Sequence, residues 1–344
     1  MTGKHIWQRI SQREKRTVKT DTQRISEREH GTDTFENLHG YGEAHRAAED
    51  INRKAGTVVK SSYRMLYEQG RDRLQQAGIA DAKTDAWYLL SECFSISRMT
   101  YLMERETLTE FPAEQTDRYE ELIARRALHI PLQHLTGEQE FMGYPFLVNE
   151  HVLIPRQDTE TLVETVLELT AGKADLSLLD MCTGSGCIAI SLALQGQGRF
   201  THVKGVDLSV EALAVAKENG RRLDVEIEWV QSDMFTRVLP VKVDVLVSNP
   251  PYIRPEVVET LMPEVRDHEP RMALDGGLDG LDFYRILAEH ASQVLNPGGY
   301  LAVEIGHDQG AEVSELFTKA GLADVFVKKD MAGLERVVAG RKIN

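Results

Sequence analysis

Asn249, Pro250, Pro251 and Tyr252 follow directly on Val243-Asp-Val-Leu-Val-Ser248, a β-branched, apolar run of strand type. Two consecutive prolines remove two backbone donors and end the ladder, and the residue before a proline is held extended. Asn249 is therefore expected at the carboxyl end of a buried strand, where open α/β sheets bind ligands. Its side-chain oxygen and the Pro250 carbonyl are two neighbouring acceptors, and Pro251 has no N–H to compete for them. Two convergent acceptors suit an –NH2 group: they hold both hydrogens and leave the nitrogen lone pair aimed at an electrophile. An amide or aryl amine has a delocalised lone pair, so orientation in a polar cradle matters more than basicity. Tyr252 offers a ring face to a planar group. A lone Asn-Pro would read as a turn cap. The whole run after a buried strand points to chemistry at an amino group, with Asn249, Pro250 and Tyr252 catalytic and Asn249 to Tyr252, Pro251 included, gripping the substrate.

A second cluster lies upstream. Asp180-Met-Cys-Thr-Gly-Ser-Gly186 is a tight glycine loop between a strand, from Leu176, and a helix, from Ile188. Such loops bring backbone close to a ligand. Asp207 ends the next strand roughly 20 residues on, the place of a carboxylate that binds ribose hydroxyls. The third glycine of a dinucleotide fingerprint is missing, and so is the lysine of a P-loop. An adenosyl group with a neutral or cationic tail fits better than a phosphate. Asp180 would favour a sulfonium or ammonium group, and Asp233 and Met234, ending the third strand, would flank the adenine. The cofactor-binding set is then Asp180, Cys182, Thr183, Gly184, Ser185, Gly186, Asp207, Asp233, Met234 and Asn249. For Asp207 and Asp233 the bland alternative is loop solvation or helix capping; successive strand ends carrying such residues argue against it.

These residues need a doubly wound sheet to bring them together. Strand-type runs at 176–182, 202–208, 226–231, 243–248 and 300–306 alternate with helical periodicity at 188–194, 210–222, 282–295 and 309–320. A closing pair of strands falls at 323–328 and 335–339. Alternation of this kind predicts a mostly parallel α/β sheet.

Ahead of it, residues 131–157 read as a linker and a β-hairpin around Gly143-Tyr-Pro145. The helix after Pro155 begins with Arg156 and Glu160, either plain helix-start residues or members of the cleft. Residues 61–130 read as a small helical domain for docking a macromolecular substrate. One helix presents Tyr63, Leu66, Tyr67, Gly70 and Leu74; the next, capped by Asp81, presents Ala86, Leu89, Leu90, Cys93 and Phe94. A later one, opened by Pro112, presents Tyr119, Leu122, Ile123 and Arg126. Residues 1–60 are polar and charged, with too few apolar groups to offset ordering entropy, and read as a disordered extension.

The formal net charge of −14 argues against a protein that wraps nucleic-acid backbone, so no direct nucleic-acid partner is expected. Cys93, Cys182 and Cys187 show no zinc or disulfide spacing and read as reduced thiols of a cytoplasmic protein. His134, His151 and His268 read as surface or packing residues, and no metal is expected. No apolar run is of membrane-spanning length, and a monomer is expected.

Taken together, these motifs resemble the class I S-adenosylmethionine methyltransferases. Within that class the chain resembles the peptide chain release factor glutamine methyltransferases (the HemK/PrmC family) over about residues 61–342. The resemblance rests on Pro131-Leu-Gln-His-Leu-Thr-Gly137, Leu153-Ile-Pro-Arg-Gln-Asp-Thr-Glu160, Leu179-Asp-Met-Cys-Thr-Gly-Ser-Gly-Cys-Ile-Ala189 and Val247-Ser-Asn-Pro-Pro-Tyr-Ile253. It also rests on Glu269-Pro-Arg-Met-Ala-Leu-Asp-Gly-Gly277 with Asp279-Gly-Leu281, and on Glu304-Ile-Gly306. It implies a Rossmann-like methyltransferase domain at 158–344, S-adenosyl-L-methionine held by residues 182–186, Asp207, Met234 and Asn249, and a release factor as partner. The methyl acceptor it implies is the side-chain nitrogen of the glutamine in the Gly-Gly-Gln loop, held by Asn249 to Tyr252. Met234 stands where the family often has an aromatic residue, and residues 1–60 have no counterpart. The rival reading is an adenine or guanine amino-methyltransferase, gripping an exocyclic amine and stacking the flipped base on Tyr252.

Overall fold

The structure, a computed structural model, describes residues 57–239 and 241–343. Up to residue 56, the expected extension lies outside the described residues. Val58–Lys60, assigned above to that extension, instead belong to a strand. This strand, β1 (Val58–Ser61), pairs antiparallel with β2 (Thr109–Pro112), Val59 opposite Phe111. Two four-residue strands separated by three helices carry no local signal of pairing, which is why periodicity did not reveal them.

Between and after them come α1 (Tyr63–Gln76), α2 (Ala82–Phe94), α3 (Arg98–Glu104) and α4 (Ala113–Arg126). The expected inward faces are present. Leu66, Gly70 and Leu74 of α1, Leu89 and Leu90 of α2 and Tyr119, Leu122 and Ile123 of α4 are buried in one cluster. Ser62 caps α1 by accepting from the Met65 N–H, whereas Asp81 makes no side-chain cap to α2. Arg126 is buried with the apolar residues of α4 because it is paired: its Nε donates to Asp85 of α2 at 2.7 Å. A guanidinium is tolerated inside only with such a partner.

The segment expected as a linker contains a short helix, α5 (Leu132–Thr136), followed by the hairpin β3 (Glu138–Phe141) and β4 (Tyr144–Leu147) and by α6 (Gln157–Leu169). Then come β5 (Leu176–Met181), α7 (Cys187–Gln195), β6 (Phe200–Asp207), α8 (Val210–Arg222), β7 (Glu228–Gln231) and β8 (Val243–Ser248). After β8 the short helices α9 (Pro255–Val258) and α10 (Pro263–Arg266) lead to α11 (Asp282–Val294), β9 (Leu295–Glu304), α12 (Gly310–Lys319), β10 (Leu322–Lys329) and β11 (Glu335–Lys342). β9 begins at Leu295 rather than at Tyr300. Asn296 to Gly299 form an irregularity where its register on β8 jumps from Val243–Leu295 to Val245–Tyr300.

The seven-stranded sheet has the order β10-β11-β9-β8-β5-β6-β7, with β5 to β9 parallel and β11 antiparallel to both of its neighbours. The predicted α/β class with a small helical domain in front is therefore the architecture observed. Strand alternation sends Leu179, Met181 and Leu246 to one face, under α11 and α12, and Leu178, Val245 and Val247 to the other, under α6 and α7. Each fully buried Leu contributes roughly 1.5–3 kcal/mol. The chain runs outward from β5 through β6 to β7, then returns to the other side of β5 as β8. That reversal opens a crevice at the carboxyl ends of β5 and β8. Among the described residues, no helix is long and apolar enough to cross a membrane.

Candidate active site

A cavity of about 320 Å³ occupies that crevice. Its wall includes Cys182, Thr183, Gly184 and Ser185 after β5, Asp207 at the end of β6, Asp233 and Met234 after β7, and Asn249 and Pro251 after β8. Most residues singled out from the sequence thus converge on one space.

The glycine loop is held from behind. The Thr183 N–H donates to the Val206 carbonyl, the Gly184 N–H to Asp207 Oδ2 at 2.8 Å and the Gly186 N–H to the Thr183 carbonyl. Gly184, at φ +55°, has open space where a Cβ would stand, so its face is free for a ligand. Gly186, at φ +78°, has a different job and does not line the cavity. A Cβ there would come within 2.9 Å of Trp229 and 3.1 Å of Ala216, so it lets α7 approach α8.

Asp180 departs from expectation. It shares a face of β5 with Leu178, lies completely buried under the start of α7, and does not line the cavity. Its Oδ2 accepts from the Thr183 hydroxyl at 2.6 Å, and its Oδ1 has no partner. It braces the loop from beneath instead of facing a cationic tail. Burial, against the Thr183 and Ala189 hydrogen bonds, pushes its pKa up to about 7. An acid with a raised native pKa binds more protons folded than unfolded between its two pKa values, so its contribution to stability falls as pH rises from about 4 to 7 and is constant above. Asp180→Asn keeps an acceptor for Thr183 and removes the titration. In melting curves from pH 4 to 8 it should flatten this dependence and gain relative to wild type at pH 8 by a few kcal/mol at most. An unchanged pH profile would refute the assignment.

Asp207 has a double engagement: Oδ2 takes the Gly184 N–H and Oδ1 the Ser209 N–H at 3.0 Å. Burial raises its pKa, and backbone donors from Gly184, Ser209 and Leu208 pull the other way. Lone pairs remain for hydroxyl donors from the cavity. Met234, 7 % exposed and at φ +44°, has its sulfur 3.9 Å from Cys182 Sγ, so this end of the pocket is soft and apolar. Asp233 is exposed beside it.

On the opposite wall, Asn249 Nδ2 donates to Thr159 Oγ1 at 3.3 Å. Pro250 is buried and does not line the cavity. Tyr252 also departs from expectation: its ring packs into the core beneath the loop and its hydroxyl donates to Glu304 Oε1 at 3.1 Å. Burial, reinforced by that carboxylate, raises its pKa. The ring is held as a strut and is not a wall of the cavity.

The segment 263–277 contributes to the cavity wall as well. Arg156 and Pro270, Met272, Ala273 and Asp275 line the cavity, and Arg156 Nη2 pairs with the buried Glu269 at 2.5 Å. Arg156 is therefore a cleft residue. Glu160 is not; it accepts the Met142 N–H and ties the hairpin to α6. Glu264, in α10, accepts from Arg126 and pairs with His129, both at 3.0 Å, which links this segment to the helical domain. His151, expected on the surface, is exposed and also lines the cavity.

The segment is clamped onto the Pro-Pro-Tyr loop by an Ile253–Asp275 bridge and by a close backbone approach at Gly276. A Cβ on Gly276 would lie 2.5 Å from Tyr252 Cα and 2.8 Å from the Pro251 carbonyl. Gly276→Ala should therefore cost about 1–3 kcal/mol in chemical denaturation and lower turnover as the loop shifts. A variant with wild-type stability would show that the two segments separate freely. Thr159, Glu269, Gly276 and Glu304 were not singled out individually from sequence. Their only signal was membership of the motif blocks around Arg156, Pro270 and Glu304.

The chemistry of this wall suits an adenosyl sulfonium. A carboxylate sits where ribose hydroxyls would lie, an apolar sulfur-lined end suits a purine, and a glycine loop has room at Gly184. Fold and site together define an S-adenosylmethionine-dependent methyltransferase. Residues 157–265 match the methyltransferase small domain and residues 65–137 the PrmC N-terminal domain. The chain is 40 % identical over 278 residues to a release factor glutamine methyltransferase of Geobacter sulfurreducens, covering 81 % of this chain and 96 % of that one. It is 41 % identical over 288 residues to one of Caulobacter vibrioides, covering 83 % and 96 %. The chain belongs to the release factor glutamine methyltransferase family. A solved protein-(glutamine-N5) methyltransferase of Alicyclobacillus acidocaldarius aligns at 28 % identity with a TM-score of 0.36, over 58 % of this chain and all of the other.

Proposed function

We propose that this enzyme methylates the side-chain amide nitrogen of the glutamine in the Gly-Gly-Gln loop of peptide chain release factors. Family membership supports the substrate class. The observation that carries the chemistry is Asn249, on the cavity wall just after β8, with its Nδ2 held by Thr159 of the same wall. That leaves Oδ1 for the substrate.

S-adenosyl-L-methionine, when bound, supplies an electrophilic methyl group. Residues 182–185, Asp207, Asp233 and Met234 would hold it, Asp207 through ribose hydroxyls and Met234 against the purine. Asn249 Oδ1 accepts a hydrogen of the glutamine amide, which orients the amide and points the nitrogen lone pair into the cavity. No base is needed before attack, because the amide proton becomes acidic only as the new N–C bond forms, and it then leaves to water. Fixing the reacting groups is the main contribution asked of the protein, and alignment of this kind is worth about 7–11 kcal/mol. The helical domain would dock the release factor, and the segment 263–277 would close over its loop.

The test is transfer of labelled methyl from S-adenosyl-L-methionine. The acceptors are a purified release factor, the same factor with its Gly-Gly-Gln glutamine replaced, and bulk DNA and RNA. Label on the intact factor alone is expected. Label on nucleic acid would overturn the substrate reading and leave the fold and cofactor site standing.

A further inference from the structure

An asparagine side chain has two ends of nearly the same shape and opposite chemistry. Facing a substrate –NH2, only the oxygen end is useful; the reversed amide would set donor against donor. Nothing in a Pro-Pro backbone decides between the two. The decision is made by a threonine on α6.

Thr159 is 2 % exposed and receives the Asn249 Nδ2–H on its Oγ1 at 3.3 Å. A hydroxyl has one proton, and where that proton goes decides whether the oxygen is left to accept. Glu304 is also 2 % exposed, takes the Tyr252 hydroxyl on Oε1, and has an Oε2 with no partner in hydrogen-bonding geometry. Burial raises the Glu304 pKa, while the Thr159 and Tyr252 hydroxyls and the nearby Arg336 charge favour its ionised form. In the Asn249 contact the Thr159 oxygen accepts, so Asn249 presents Nδ2 to Thr159 and keeps Oδ1 for another donor.

We propose that Thr159 is the positioning residue that sets which way round the Asn249 amide faces the substrate. This rests on the reading that Asn249 holds the acceptor amide. The hydrogen-bond direction runs one way: substrate amide to Asn249, Asn249 to Thr159. At the other end of the Asn-Pro-Pro-Tyr loop, Glu304 takes the Tyr252 hydroxyl.

Thr159→Val keeps the shape and removes the hydroxyl; Thr159→Ser keeps the hydroxyl and removes the methyl. Both would be assayed on a release factor for kcat and KM, by calorimetry for S-adenosyl-L-methionine affinity, and by thermal melting. A misdirected or unpaired buried polar group costs about 1–3 kcal/mol, so Thr159→Val should lose about 10- to 100-fold in kcat, with KM and cofactor affinity within threefold of wild type. Thr159→Ser should stay within fivefold in kcat. Wild-type kcat in Thr159→Val would overturn the proposal, and so would a Ser variant as impaired as the Val variant. A wild-type enzyme that transfers no methyl to the factor would sink the substrate reading and this proposal with it.

Discussion

Replacing Asn249 with alanine should reduce kcat on a release factor by about 10³-fold while leaving cofactor affinity within about threefold. The asymmetry follows from position. Asn249 stands on the wall across from Asp207 and Gly184, and its Nδ2 is occupied by Thr159, so its free end addresses the acceptor amide. Loss of one preorganised polar contact in a closed site typically costs 10²–10³ in rate. Here the same loss frees the amide to rotate, which removes alignment as well. Single-turnover methyl transfer measures the first quantity, and calorimetric titration with S-adenosyl-L-methionine the second. Turnover close to wild type would mean that the closing segment orients the amide without help.

Asp207→Ala should show the opposite split, with cofactor affinity falling about 10²–10³-fold. Charge-assisted hydrogen bonds are worth ~1.5–3 kcal/mol each, and two ribose hydroxyls are available to this carboxylate. A further loss comes from the protein itself, because Asp207 also holds the Gly184 N–H at 2.8 Å and the Ser209 N–H at 3.0 Å. Asp207→Asn separates the two effects. It retains an acceptor for Gly184 and loses the charge, so it should bind the cofactor more tightly than the alanine variant and more weakly than wild type. Equal affinities in both variants would make the loop contact irrelevant. Wild-type affinity in either would remove Asp207 from the cofactor site.

The strand ends that converge on the cavity were legible because parallel strands buried on both faces are near-continuous apolar runs, and the residues that interrupt them stand out. Cys182 to Ser185, Asp207, Met234 and Asn249 were found in this way. Asp180 and Tyr252 were read as facing a ligand, and the structure places both off the cavity wall. For Asp180 the needed information was local: alternation from Leu178 puts its side chain under α7. For Tyr252 it was remote, since its direction depends on Glu304, 52 residues on and one strand over. Thr159 and Glu269 escaped individual notice for the same reason; their meaning lies in partners 90 and 113 positions away. The β1–β2 pairing was invisible because neither strand is long enough to show a period.

The order of the sheet also bears on when the enzyme becomes competent during synthesis. β11 is the last described strand to leave the ribosome, yet it is an inner strand, seated between β9 and β10. Until residues 335–342 emerge, β9, which ends in Glu304, keeps an open, unpaired edge. Glu304, which holds the Tyr252 hydroxyl, stands on that strand, so a nascent chain that already carries every cavity residue still has this support on an unfinished sheet. An exposed edge of this length is also a template for pairing with other chains. Catalytic competence and protection from aggregation thus arrive together, with one late strand insertion.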